Sequence, residues 1–131
     1  MRRLFSLVAL VLVAACGELT GLRPAPIAGA RPFSDTALLT TLWTQTEACS
    51  GISGDLSAVS FFIAPATSIP DGFWGYWYRS GNRVVISEVY ATDRKLIEHE
   101  MMHALLQDGM HPAKYFDGVC GDLSYPNETL N

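Results

Sequence analysis

Residues 94–107 carry two histidines four positions apart, in the run Arg94-Lys95-Leu96-Ile97-Glu98-His99-Glu100-Met101-Met102-His103-Ala104-Leu105-Leu106-Gln107. Its apolar positions recur at helical spacing, and Thr92 or Asp93 supplies an N-cap. On such a helix His99 and His103 stand one turn apart on one face, with Glu100 about 100° further round. Ile97, Met101, Ala104 and Leu105 take the opposite face, and Leu96 and Leu106 lie beside the histidines. A helix apolar nearly all round is a buried one. Buried imidazoles beside a glutamate need partners, and a metal ion meets that need. Gly109 is placed to end the helix in a left-handed cap.

Everything else is arranged around that helix. The 131 residues suit one domain, and a formal charge of −4 argues against nucleic acid as a partner. The first fifteen residues read as a signal peptide. Arg2 and Arg3 precede a ten-residue apolar stretch, 4–13, which is too short for an ordinary membrane span. Val13-Ala14-Ala15-Cys16 resembles the lipobox of bacterial lipoproteins, which implies cleavage before Cys16 and lipidation of that cysteine. The plainer alternative is a secretory signal cut nearby, with Cys16 an incidental thiol. Removing Arg2 and Arg3 from the nine basic residues leaves seven against thirteen acidic ones, a formal −6. With Cys16 lipidated, Cys49 and Cys120 remain as a pair in an oxidising compartment. Their bridge would close about 70 residues and contribute roughly 4 kcal/mol in the chain-entropy account. Two free buried thiols are the alternative.

Residues 16–32 hold Gly17, Gly21, Pro24, Pro26, Gly29 and Pro32 without apolar periodicity, and read as a linker to a domain over 33–131. A first helix follows, capped by Ser34 or Asp35 and running to about Ala48, with Leu38, Leu39, Leu42 and Trp43 on its apolar face. Residues 56–64 read as a strand ending at Pro65. The aromatic run 73–78 and the alternating run 83–90 read as a hairpin closed by Ser80-Gly81-Asn82. Its aromatic side chains fit a sheet core, the wall of a substrate groove, or both, since alternate residues face opposite sides. Asn127-Glu128-Thr129 matches a glycosylation sequon and reads as chance in a bacterial lipoprotein. The fold class expected is α+β: a mixed or antiparallel sheet packed on a first helix and a central site helix.

A catalytic zinc takes three protein ligands and keeps one position open. His99 and His103 supply two, and His111, just past Gly109, is the best third. Asp108, Asp117, Asp122 and Glu128 are lesser candidates, Asp108 being on the helix face opposite His99. H-E-x-x-H with a third histidine after a glycine resembles the zincin metallopeptidases over residues 83–112, and the metzincin branch in the placing of His111. Seven residues separate His103 from His111 where that branch has five, and no methionine follows His111. The gluzincin branch uses a downstream glutamate, for which Glu128 is available. The resemblance implies peptide-bond hydrolysis with Zn²⁺ as cofactor, a zinc-activated water and Glu100 as general base. It also implies an edge strand that binds substrate in extended form, for which 84–89 is the candidate. Tyr115 either donates a hydrogen bond to the oxyanion or only packs. The expectation is therefore an exported zinc metallopeptidase of the bacterial cell envelope, anchored to the membrane through lipid on Cys16, with peptides or proteins as substrates. The alternative is a zinc-binding or structural lipoprotein that keeps this framework without turnover.

Overall fold

The computed structural model describes residues 27–125. The signal peptide, Cys16, the linker up to Pro26, the sequon and Glu128 lie outside the described residues. Among those described, no helix is long and apolar enough to cross a membrane.

Six elements build the domain: β1 (Arg31–Pro32), α1 (Thr36–Ser50), β2 (Ser60–Ala64), β3 (Gly75–Tyr78), β4 (Arg83–Ser87) and α2 (Arg94–Leu106). Both helices start at an aspartate that accepts the main-chain N–H three residues on: Asp35 from Leu38 at 2.9 Å, and Asp93 from Leu96 at 3.1 Å. Gly51 closes α1 in the left-handed region at φ 72°. For α2 the left-handed residue is Gln107 (φ 54°) and not Gly109. The Gln107 N–H reaches back to the His103 carbonyl, so the helix stops one turn after the second histidine and the chain folds over it.

The sheet is mixed, in the order β1-β2-β4-β3. β2 and β4 run parallel, with Phe62 opposite Val85, while β1 and β3 pair antiparallel at the two edges. The hairpin expected between β3 and β4 forms, and Gly81 and Asn82 take the positive φ values its turn needs. Three further expectations are corrected. Residues 56–58 form a short 3₁₀ turn ahead of the strand, capped by Asp55. Of the hairpin's two strands, β4 is interior, so the free edge belongs to β3. Arg31 and Pro32, at the end of the stretch read as linker, already belong to the sheet.

Alternation along the strands separates two cores. Phe61, Ile63, Val84 and Ile86 face α1 and α2, meeting Leu39, Leu42, Trp43, Ile97 and Met101. Phe62, Ala64 and Val85 face the other way, under Ile69, Phe73 and Tyr78. Burial on both faces explains why β2 and β4 are nearly unbroken apolar runs. A disulfide joins Cys49 on α1 to Cys120, 71 residues on. Below the first core, α2 passes close to β3, and the gap between them is where the site lies.

Candidate metal centre

α2 buries the whole H-E-x-x-H segment: His99, Glu100 and His103 are at most 5% exposed. The turn at Gln107 brings His111 back toward the two helical histidines. The three Nε2 atoms then form a nearly equilateral triangle, with sides of 3.0 Å (His99–His103), 3.2 Å (His103–His111) and 3.2 Å (His99–His111). These three histidines form a group able to hold one metal ion. Two nitrogens bound at about 2.0–2.1 Å to one tetrahedral ion stand roughly 3.3 Å apart, so the triangle has the size such an ion requires.

The other ring nitrogens fix which atoms point inward. His99 Nδ1 lies 2.7 Å from the Leu123 carbonyl oxygen, and His103 Nδ1 lies 2.8 Å from that of Asp108. A carbonyl oxygen only accepts, so Nδ1 donates in both rings, and in the neutral ring Nε2 presents a lone pair. Two acceptors 3.0 Å apart repel, and a shared cation between them removes the conflict. Main-chain carbonyls behind ligating imidazoles also fix ring orientation and raise ligand basicity. The donor set therefore fits a metal on chemical grounds as well as by distance. Asp108, set aside as a ligand, contributes its carbonyl, while its carboxylate accepts from the Met110 N–H at 3.1 Å.

Phe116 forms the floor. It is 1% exposed, and its ring centroid lies 4.8 Å from that of His99, 5.0 Å from His103 and 4.8 Å from His111. Trp77 stacks beside His103 at 6.3 Å, held by its indole N–H donating to Asn82 Oδ1 at 2.7 Å. Tyr125 meets His99 edge-on at 5.7 Å and donates its hydroxyl to Asp93 Oδ1 at 3.2 Å. Nearby, Asp122 is pulled below the usual carboxylate range by its hydrogen bonds from the Ser124 hydroxyl and N–H and by Lys95. Tyr78, on the far face of β3, is pushed up by burial.

His103 and His111 open into a cleft of about 470 Å³ whose lining includes Gly75, Tyr76, Trp77, Glu100, Met110 and Tyr125. Glu100 stands directly against β3: a Cβ added to Gly75 would lie 2.6 Å from Glu100 Oε1. Of the aromatic strand, Trp77 belongs to the core and also reaches the cleft, while Tyr76 is exposed at the cleft. Tyr115 does not line the cleft. Its ring packs beside Met102, Phe116 and Leu123, with Lys114 Nζ 4.9 Å above it. The tyrosine that does line it is Tyr125. Gly75, Phe116, Tyr125 and the Leu123 carbonyl had no motif to mark them, because they reach the site from β3 and from a segment beyond the third histidine. Comparison with protein-family models, with curated proteins and with solved structures finds no match.

Proposed function

We propose that this protein is a zinc-dependent metallopeptidase, exported and anchored to the bacterial envelope through lipid on Cys16. The observation that carries the reading is the convergence of three imidazole Nε2 atoms, within 3.2 Å of one another, on a cleft whose wall includes the buried Glu100. A ligand triad alone suits storage or structure as well, whereas a carboxylate between the ligands adds the base that hydrolysis requires.

His99, His103 and His111 would hold the ion through Nε2. When bound, zinc supplies Lewis acidity toward a carbonyl oxygen and lowers the pKa of water. Glu100 takes a proton from the attacking water and returns it to the leaving amine. Its burial and its seat against Gly75 keep the carboxylate in one place without bulk solvent competing for it. The substrate lies extended along the free edge of β3, pairing main chain to main chain, while Tyr76 and Met110 meet its side chains. The resemblance to zincins, in H-E-x-x-H and a third histidine beyond a glycine, supports the same reading.

The test compares the purified protein with Glu100→Gln, measuring bound metal and peptide cleavage. One zinc per chain is expected in both, with cleavage lowered at least about a hundredfold in the variant. Metal bound without cleavage in either protein would point instead to a binding lipoprotein, and no metal in the wild type would remove both readings. For the anchor, the wild type is expected in the membrane fraction with a lipid adduct on Cys16. Cys16→Ser is expected to lose both.

A further inference from the structure

Residues 115–125 form the far wall of the triad without a strand ladder to hold them. The helical turn Tyr115–Val119 breaks at Gly118 (φ −129°, ψ −109°). Beyond it the Leu123 N–H donates to the Phe116 carbonyl at 2.7 Å, and the Leu123 carbonyl in turn accepts from His99 Nδ1. One ligand is thus oriented by main chain 24 residues further on. Between the Phe116 floor and the Leu123 carbonyl sits Cys120, bridged to Cys49 near the end of α1. The segment is also tied by Phe116 and Leu123 packed with Met102, by Tyr125 in the main core beside Trp74, by the Tyr125–Asp93 hydrogen bond, and by a Lys95–Asp122 ion pair at 3.3 Å. That pair is solvent-exposed and contributes little.

We propose that the Cys49–Cys120 disulfide gates the metal centre. Oxidised, it ties residues 115–125 to the end of α1, which keeps Leu123 beside α2 so that its carbonyl holds His99 in its ligating orientation. As two thiols, the clasp opens locally, His99 loses its partner and metal affinity falls. Closing the bridge removes two electrons and two protons from the thiols, which pass to an oxidised dithiol protein or a small-molecule disulfide. The metal site is therefore completed only after the chain reaches an oxidising compartment, and the peptidase is latent before then. The gate rests on the three-histidine site and not on catalysis. Loss of the hydrogen-bond partner behind a ligating histidine costs roughly 10–100-fold in metal affinity.

The experiment measures Co²⁺ and Zn²⁺ affinity by competition with a chromophoric chelator, using the full mature protein. It compares the oxidised form, the form reduced by a water-soluble phosphine, and the double variant Cys49→Ser, Cys120→Ser. In the reduction, phosphine and water yield the phosphine oxide and two thiols. The double variant leaves no thiol at either position to bind metal itself. Roughly 10–100-fold weaker binding is expected in both bridge-free forms. Far-UV circular dichroism should be unchanged, faster amide exchange should be confined to 115–125, and reoxidation should restore affinity. Equal affinity with and without the bridge overturns the proposal. Global unfolding on reduction overturns it too, since the bridge would then hold the whole domain and not the clasp. Oxidised wild type that binds no metal overturns the gate together with the metallopeptidase reading, a result distinct from equal binding by both forms.

Discussion

At Gly75 the main chain of β3 passes so close to Glu100 that a methyl group would stand 2.6 Å from Oε1 and 3.0 Å from Cγ. The residue sits in a strand with no positive φ, so glycine is required here for space and not for conformation. Gly75→Ala should therefore fold and keep its metal, while Glu100 is pushed off station. Cleavage should fall about a hundredfold, in kcat more than in KM. Wild-type kcat in that variant, with full metal content, would show that Glu100 is not a base held by β3. Phe116 answers a different question, because its ring touches all three imidazoles. Phe116→Ala should cost about 3–5 kcal/mol in denaturant unfolding and weaken metal binding, with Phe116→Leu keeping most of both. Unchanged metal affinity in Phe116→Ala would reduce the floor to ordinary core. His99, Glu100, His103 and His111 could be found from spacing alone, since a helix converts a four-residue interval into a shared face and a chain reversal returns the third ring. Gly75 and the Leu123 carbonyl could not. One acts by lacking a side chain, and the other is a main-chain atom carried in on a distant segment.

Among the elements, both helices were legible because capping and periodicity are local. Asp35 and Asp93 each cap through the N–H three residues on, but they differ in what else they hold. Asp35 acts at the exposed start of α1, whereas Asp93 Oδ1 also accepts the Tyr125 hydroxyl. Asp35→Ala should cost about 1 kcal/mol, as an ordinary N-cap does. Asp93→Ala should cost about twice that, because a second hydrogen bond of about 1 kcal/mol goes with it. Urea unfolding of the two variants checks the ordering, and equal losses would mean that the Tyr125 contact adds nothing to stability. The sheet was less legible for a physical reason. The runs 73–78 and 83–90 declare a hairpin, but either strand of a hairpin can face β2. The choice fell on Val84, Val85 and Ile86, which are fully buried on both faces, while Gly75-Tyr76-Trp77-Tyr78 with exposed Tyr76 took the edge. That outcome puts the free edge beside Glu100 and relocates the proposed substrate strand from β4 to β3.

For the whole molecule, the triad adds a further tie between parts of the chain that lie apart in sequence. His99 and His103 come from α2, His111 from the loop that doubles back after Gln107, and the Leu123 carbonyl from the segment fastened by Cys120. Unfolding scatters these positions, so an ion that binds the folded triad and not the open chain stabilises the fold by mass action. Free zinc at about 100 times its dissociation constant contributes roughly 2.7 kcal/mol. In a domain near 100 residues each kcal/mol moves Tm by about 4–8 °C, so stripping the metal with a chelator should lower Tm by roughly 10–20 °C. Added zinc should restore it. Acidification should act in the same direction as the chelator, because metal ligands must be deprotonated to bind. His111 is the discriminating position, being the exposed member of the three and the one outside the helix. His111→Ala removes a ligand without opening a cavity in the core. It should unfold near the chelated wild-type Tm whether or not zinc is present. A His111→Ala protein that still gains the full zinc-dependent shift would mean that His99 and His103 bind without it, and that the triangle of nitrogens is not the site.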